Sequence, residues 1–206
     1  MWRVLYLLLA VFILSCATTS RLPIHKVVDS TTVRTKVVLM EREGIDPAYQ
    51  KAAVREFEAY LLKEPVTHTL KTAFGGEKVD LILITRKEVQ RIKSITPEEI
   101  KKIGEESDLQ VLIVLEPLKI NYSEGSVKRG NEFCITRQAE ALISAKVMGI
   151  REGKVIIAGV YNGKVKKRQC SKGAARTDKL PEKDKIVVKA LKKAAMKFSK
   201  EFWNNL

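Results

Sequence analysis

Five side chains of this 206-residue chain are of the types that most often bind a metal or act as a nucleophile, namely three cysteines and two histidines. The histidines, His25 and His68, are far apart, and neither has a second ligand at metal-binding spacing. No Cys-x-x-Cys pair is present, and Gly75-Gly76 lacks the Lys and Ser/Thr that complete a phosphate-binding loop. Catalysis needs a nucleophile with its base, paired carboxylates or a metal cluster. We therefore expect no enzymatic activity, no metal and no cofactor.

Cys16 follows a short N-terminal segment with the composition of an export signal. Arg3 gives a positive start, and the chain is then apolar from Val4 to Leu14. A transmembrane helix needs about 20 apolar residues, whereas the apolar part of a signal peptide needs only about 7–15. We therefore predict a signal peptide over residues 1–15.

Residues 13–16, with the sequence Ile-Leu-Ser-Cys, resemble the lipobox of bacterial lipoproteins. The resemblance implies that Cys16 takes a diacylglyceryl group, that the Ser15–Cys16 bond is cut, and that the new amine is acylated, for example with palmitate. Each buried methylene contributes roughly 0.8 kcal/mol, so several acyl chains make a stable membrane anchor. Ala17 resembles the residue that sends a lipoprotein to the outer membrane, facing the periplasm. The alternative is an ordinary signal peptide, with Cys16 free or lost.

The mature chain is strongly basic, because the whole chain carries a net charge of +14 and the signal contributes only Arg3. Such charge attracts anionic lipid, cell-wall polymer or nucleic acid, and export makes nucleic acid the least suitable partner. Residues 16–32 contain Thr, Ser and Pro without a sustained period, which predicts a lipidated N-terminus and a flexible tether. We expect residues 33–206 to form a single α/β domain.

Hydrophobic periodicity predicts the order strand, helix, strand, helix, strand, strand, strand, helix. The first strand covers residues 33–40, and Asp46 caps the helix that follows. Thr96 and Glu99 form a capping box at the start of the second helix, and residues 123–132 are expected to form a charged loop. This order predicts an α+β fold, an α/β sandwich in which helices pack on a mixed sheet.

Two alternating segments flank residues 151–153 and predict a hairpin. If Ile150 pairs with Lys154, the register places Cys134 directly opposite Cys170. Exported proteins meet an oxidising compartment, so we predict a disulfide between these two cysteines. Closing a loop of this length contributes about 3–4 kcal/mol in the chain-entropy model. The alternative is two free thiols.

Residues 185–206 place apolar side chains on one stripe and most lysines elsewhere, which predicts an amphipathic helix. The apolar stripe is narrow and rich in alanine, so we expect it to dock on the core. The alternative is a basic face that lies on an anionic membrane.

Residues 96–118, residues 139–160 and the terminal helix resemble a group of envelope lipoproteins with an anticodon-binding-like domain. The group includes activators of peptidoglycan synthases, curli-export lipoproteins and the N-terminal domain of TolB. In that group the first stretch is a helix that ends at a tight turn before a buried strand, and here the turn is Ser107-Asp108-Leu109. The resemblance implies a binding and assembly module, and it carries no catalytic residue over to this chain.

We therefore expect a non-catalytic outer-membrane lipoprotein that binds or supports an envelope protein partner or a cell-wall component, in cell-wall synthesis or assembly. The alternative is an oligomeric secretion or assembly subunit similar to the curli-export lipoproteins. A third hypothesis is an envelope hydrolase whose catalytic site does not stand out in the sequence. For the contact with a partner, we favour residues 123–132 over the basic segment 171–185.

Overall fold

The computed structural model describes residues 32–63, 80–173 and 178–205. The predicted signal peptide, Cys16, His25 and His68 lie outside these residues, and Thr32, the last residue of the predicted tether, begins the first strand. Within the described ranges, no helix has the combination of length and apolar character that crossing a membrane requires.

The described residues form one mixed sheet with three helices packed on it. The strands are β1 (Thr32–Met40), β2 (Asp80–Leu83), β3 (Arg91–Ile92), β4 (Val111–Arg129), β5 (Glu132–Gly149) and β6 (Lys154–Lys172). The helices are α1 (Pro47–Lys63), α2 (Pro97–Ser107) and α3 (Lys183–Asn204). The strand order is β2-β1-β4-β5-β6, and the short β3 also pairs with β1. β1 is parallel to its three neighbours, whereas β4, β5 and β6 form an antiparallel meander. The predicted α+β fold is confirmed.

Local capping fixes where α1 and α2 begin. The Asp46 carboxylate accepts a hydrogen bond from the amide two residues later at 2.8 Å, and Thr96 Oγ1 accepts one from the Glu99 amide at 3.2 Å. These contacts satisfy backbone donors that have no partner inside the helix. The second half of the predicted capping box takes a different form, because Glu99 Oε2 accepts from the Ser94 hydroxyl at 3.0 Å.

The helices cover the two faces of the sheet unequally. α1 and α3 lie side by side on one face, which we call the helical face, and α2 packs on the other. On the helical face, the Phe198 ring lies 5.3 Å from Phe57 and 5.2 Å from Tyr161, measured between centroids. Under α2, Ile100 and Ile103 cover a smaller cluster. The predicted docking of the terminal helix on the core is therefore confirmed.

The observed β5–β6 register confirms most of the predicted hairpin. Cys134 pairs with Cys170, as predicted. At the turn, however, Lys154 pairs with Gly149, so its predicted pairing with Ile150 is wrong by one residue. A bulge after Val147 absorbs the difference, because it places one extra residue on β6.

The predicted loop at residues 123–132 is wrong. β4 continues to Arg129, and a turn containing Gly130, with φ of 57°, leads into β5 at Glu132. The pairing with β5 is continuous through this segment, with Gly125 opposite Thr136. Composition misled here because the backbone hydrogen bonds of a strand come from its neighbour, so a strand with both faces in solvent needs no apolar side chains.

A bulge in β4 changes which of its residues face the helices. Pro117 and Lys119 pair with consecutive residues of β5, which leaves Leu118 as an extra residue. Proline has no N–H to donate, and a bulge is one of the places in a sheet where it is tolerated. Before the bulge, odd-numbered residues such as Leu115 pack on the helical face, and after it even-numbered residues such as Ile120 do so.

Gly163 is the position at which α3 approaches β6 most tightly among the described glycines, since an added methyl group would overlap the Ala190 carbonyl. Overpacking of this kind costs typically about 1–3 kcal/mol. We expect Gly163→Ala to lower the free energy of unfolding by about this amount, measured by urea denaturation. Gly125→Ala is the matched control in the same meander, because nothing lies within 4 Å of its added methyl group. Equal losses in the two variants would contradict the close packing.

Candidate functional site

The antiparallel strands extend well beyond the helix that covers them. β5 has 18 residues and spans about 60 Å at about 3.4 Å per residue. α3 has 22 residues but spans only about 33 Å at about 1.5 Å per residue. The end of the meander that lies largely beyond the helices comprises residues 123–138 and 164–172, which we call the arm. Its β4 portion, residues 123–129, is exposed at every position.

The arm carries a shallow groove of about 260 Å³ on the face opposite the helices. Side chains alternate across a strand. Since Ala139 and Val165 pack on the helical face, their neighbours Gln138 and Lys166 point to the other side. Most of the groove-lining side chains are polar, and they include Ser123, Gly125 and Val127 of β4, Thr136 and Gln138 of β5, and Lys166 of β6.

Positive charge lines one side of the groove. Lys166 lines the groove, and Lys164 and Arg168 flank it on the same face of β6; all three are exposed. Glu140 lies opposite Lys164, as the sequence predicted, but its carboxylate forms its ion pair with Lys119 on the other neighbouring strand, at 3.5 Å. Among the ion pairs between described residues, none involves Lys166 or Arg168. The groove therefore presents uncompensated cations that attract anionic groups.

A polar cluster on the helical face, which we call the joint, connects the arm to the helices. Glu124 Oε2 accepts hydrogen bonds from Arg137 Nε at 2.7 Å and from the Tyr122 hydroxyl at 2.8 Å. Arg137 Nη1 also donates to the carbonyls of Leu180 and Pro181, at 3.3 and 3.1 Å. One guanidinium thus links β4, β5 and the segment that leads into α3.

The pKa values in the joint favour its observed protonation state. Hydrogen bonds from Arg137 and from Tyr122 lower the pKa of Glu124. The hydrogen bond to Glu124 raises the pKa of Arg137. Burial, followed by the hydrogen bond to Glu124, raises the pKa of Tyr122. The carboxylate is therefore ionised and the phenol protonated at neutral pH, which makes these hydrogen bonds charge-assisted and strong.

Helix α1 reaches the same cluster through Tyr49. Its hydroxyl donates to Asp184 Oδ1 in the first turn of α3 at 2.7 Å, and burial together with this hydrogen bond raises the pKa of Tyr49 to about 12. Lys183 Nζ lies 5.8 Å from the centroid of the Tyr49 ring and 5.9 Å from that of Tyr122. Cation–π contacts at such distances are attractive. The start of α3 is therefore fixed from two sides.

Cys134 and Cys170 lie at the far end of the arm, on the groove face. They occupy directly paired positions of β5 and β6, and their sulfur atoms are 2.08 Å apart. Glu132 lies near both sulfurs. A metal would need thiolates, however, and sulfur atoms joined to each other supply none. This arrangement favours a covalent link between strands over a metal site.

Lys36 is a buried amine outside the arm. It is 3% exposed, and its Nζ donates to Gln90 Oε1. Burial, followed by the nearby charge of Arg86, lowers the pKa of Lys36. A buried lysine can act as a base or nucleophile, but this one does not line the groove. In the sequence, Lys36 is a single Lys within β1, and hydrophobic periodicity does not distinguish it from an exposed Lys.

Sequence reasoning found some of these groups and missed others. It paired Cys134 with Cys170 and favoured residues 123–132 for contact with a partner, and that segment does contribute five of the eight groove positions. It missed the joint, because Glu124 and Arg137 meet only through the β4–β5 pairing. The signal that could have found them is a pair of opposite charges at equal distances from the turn at Gly130 and Asn131.

No family model matches the chain. An uncharacterized protein of Aquifex aeolicus is 30% identical over 212 residues, in an alignment that covers 100% of both chains.

Three solved structures show weaker likenesses. A neuraminyllactose-binding hemagglutinin homolog from Helicobacter pylori is 12% identical, with a TM-score of 0.45 over 84% of this chain and 86% of that one. A hypothetical protein from Chlamydia trachomatis is 11% identical, with a TM-score of 0.40 over 84% of this chain and 94% of that one. A PelC dodecamer from Paraburkholderia phytofirmans is 9% identical, with a TM-score of 0.37 over 81% and 88%. Likenesses of this degree carry no conclusion about function.

The lowered pKa of Glu124 predicts how stability depends on acid. Because the folded-state pKa lies below the ordinary value of 4.5, the joint contributes stability that is present above the unfolded pKa and is lost as pH falls through the folded pKa. We expect Glu124→Gln to melt at a lower temperature than the wild type at neutral pH. The difference should shrink as pH falls below about 4. Thermal unfolding followed by circular dichroism measures both.

Glu152→Gln, an exposed change in the β5–β6 turn, is the control for loss of a carboxylate. A difference between Glu124→Gln and the wild type that stayed constant through the acid range would show that the joint does not depend on the ionised carboxylate.

Proposed function

Since this chain belongs to the same family as the uncharacterized Aquifex aeolicus protein, a relative with no assigned activity, we propose a function from its own residues. It is a non-catalytic lipoprotein of the bacterial envelope that binds an envelope partner through the groove face of the arm. The observation that carries this proposal is the exposed groove with its uncompensated cations.

The envelope location rests on the N-terminal sequence. Residues 13–16 match the lipobox pattern, and Ala17 favours the outer membrane, with the domain facing the periplasm. The 15 residues between Cys16 and Thr32 span at most about 50 Å when fully extended, at about 3.4 Å per residue. A lipid anchor on Cys16 would therefore keep the start of β1 near the membrane while leaving the domain free to meet partners in the periplasm.

The binding role rests on which polar groups of the arm have partners within the protein and which do not. The joint on the helical face is satisfied internally, whereas Lys166 and Arg168 on the groove face are exposed and without an acidic partner among the described residues. Groups of this kind suit an acidic protein or an anionic cell-wall component. A role beside the cell-wall synthesis or assembly machinery agrees with the sequence resemblance to peptidoglycan-synthase activators and their anticodon-binding-like domain.

The proposal is non-catalytic because the groove lacks a catalytic set. Its hydroxyls belong to Ser123, Ser126 and Thr136, and no histidine or second carboxylate beside Glu124 lines it. Glu124 itself is engaged by Arg137 on the opposite face. Binding is the chemistry that these side chains support.

Export also gives Cys134 and Cys170 a role. In an oxidising compartment, a disulfide between them would close a loop with a sequence separation of 36. The chain-entropy model assigns about 3–4 kcal/mol to such a link. We propose that this disulfide keeps the far end of β6 attached to β5, where no helix covers either strand.

An oligomeric assembly or secretion subunit is the second candidate. Apolar side chains are exposed on both outer strands, with Ile82 of β2 at 45% and Val160 of β6 at 56%. Contacts between opposite edges of successive copies would be head-to-tail and could close into a ring. Mass photometry of the detergent-free protein would favour this candidate if it showed ring-sized particles, and a monomer at micromolar concentration would remove it.

Lipidation predicts the mass of the protein isolated from membranes. We expect that mass to correspond to cleavage before Cys16, addition of diacylglyceryl and acyl groups, and loss of two hydrogen atoms at the Cys134–Cys170 pair. Cys16→Ala should abolish labelled-palmitate incorporation and release the protein from the membrane fraction. Continued membrane location of Cys16→Ala without label would contradict the anchor.

Partner binding predicts site-specific crosslinking in cells. A photo-crosslinking amino acid at Gln138, in the groove, should give a defined adduct, which mass spectrometry would identify. The same group at Arg55, an exposed position of α1, is the matched control and should give none. The double variant Lys166→Glu, Arg168→Glu should lose the Gln138 adduct. Equal labelling from Gln138 and Arg55, or no adduct from Gln138, would contradict binding through the groove.

A further inference from the structure

We propose that the outer edge of β6, from Lys164 to Cys170, receives an extended acidic segment of the partner protein as an added strand. The inference rests on the proposed function, since it names the class of partner that the arm binds and the way in which that partner is held.

β6 is the outermost strand on its side of the sheet, and it is 19 residues long. An outermost strand presents a row of backbone N–H and C=O groups that no neighbouring strand uses. A strand of this length with one open side is a template for another extended chain, because main-chain hydrogen bonds supply the affinity and alternate side chains supply the specificity.

Helix α3 shows which backbone groups of β6 point outward. Lys193 Nζ donates to the Lys164 carbonyl at 3.0 Å, and Lys197 Nζ donates to the Asn162 carbonyl at 2.6 Å. These carbonyls therefore face away from β5. In an antiparallel pair, outward and inward positions alternate along the strand, so the even-numbered residues of this part of β6 present their backbone to the outside.

The outward groups continue past the part that α3 protects. The β5–β6 register is unbroken from Ile157 to Cys170, so Lys166 and Arg168 are outward as well. In the part of the chain that the structure describes, no side chain donates to either of their carbonyls. The lysines of α3 thus cover the edge at residues 162 and 164, and beyond them no described residue covers the edge of the arm.

Charge decides which chain can occupy this edge. Side chains directly opposite in neighbouring strands lie about 4.5–5.5 Å apart, where opposite charges attract and like charges repel. Lys164, Lys166 and Arg168 would each face a residue of the added strand on the groove side. A second copy of β6 would bring the same cations opposite themselves, whereas a segment with acidic residues at alternate positions would neutralise them.

Two features hold the edge ready for binding. The Cys134–Cys170 pair connects the end of β6 to β5, and Arg137 of β5 is held by Glu124 and by the segment before α3. A template that is already ordered loses little conformational freedom on binding, which favours affinity.

The test uses the full-length lipoprotein, purified in zwitterionic detergent so that the micelle has no net charge. The probe is a fluorescent ten-residue peptide of alternating Glu and Thr, followed by fluorescence anisotropy. A Lys-Thr peptide controls for charge. Two further Glu-Thr peptides carry N-methyl groups on the Glu amides or on the Thr amides, which removes one row of backbone donors without changing the charge.

We expect the Glu-Thr peptide to bind and the Lys-Thr peptide not to bind. Of the two methylated peptides, one should bind about tenfold more weakly than the other.

Two substitutions at one position separate the backbone from the charge. Arg168→Pro removes an outward N–H that β5 does not use, and an edge strand tolerates proline at such a position. Arg168→Gln removes the charge alone. We expect Arg168→Pro to bind the Glu-Thr peptide about tenfold more weakly than Arg168→Gln, with both melting near the wild-type temperature. Lys102→Glu, on the exposed side of α2, is the remote charge control and should bind as the wild type does.

Each contrary outcome has its own meaning. Equal binding by both methylated peptides would overturn strand addition and leave a groove that attracts anions, in accord with the proposed function. Absence of peptide binding with an intact Gln138 crosslink in cells would overturn this inference alone, and absence of both would overturn the proposed function as well. Self-association in sedimentation experiments that Arg168→Pro abolished would assign the edge to a second copy and overturn the acidic partner.

Discussion

The three antiparallel strands are about twice as long as the helix that covers them, and this mismatch governs the rest of the molecule. Where α1 and α3 lie on the sheet, burial of apolar side chains stabilises it in the usual way. Where they do not, β4, β5 and β6 must be held by pairing with one another, by polar contacts and by the proposed disulfide between Cys134 and Cys170. The arm is therefore an extension of the sheet whose stability depends on connections other than an apolar core.

The polar groups of the arm are divided between its two faces. On the helical face, Glu124 and Arg137 form a closed network with Tyr122 and the backbone before α3, so those charges are used internally. On the groove face, the cations of β6 keep their charge available. This division orients the arm, because the satisfied face is attached to the helices and the unsatisfied face points away from them.

Much of the fold follows from local patterns, and the failures occur where local patterns stop deciding. The period-two alternation of β5 and β6 predicted their pairing, with Cys134 opposite Cys170. The Ala-rich stripe of α3 predicted its docking on the core. β4 was predicted too short because its second half is polar on both faces, and only its neighbour makes it a strand. The joint could not be predicted without the β4–β5 pairing, since Glu124 and Arg137 are an ordinary acid and base in sequence. The groove likewise depends on the register of three strands, so it cannot be predicted from the sequence of any one of them.

The bulge at Leu118 makes the arm sensitive to the length of the chain as well as to its composition. The extra residue determines which face of the sheet each side chain from Lys119 to Arg129 points to. Loss of a single codon at this point would therefore exchange the two faces of that half of β4. Tyr122 and Glu124 would then turn toward solvent on the groove side, and Ser123 and Gly125 would turn toward the helices. An insertion or deletion of one residue here would therefore act like many substitutions made together, whereas a change of two residues would preserve the two faces of β4 and displace its pairing with β5 by two positions.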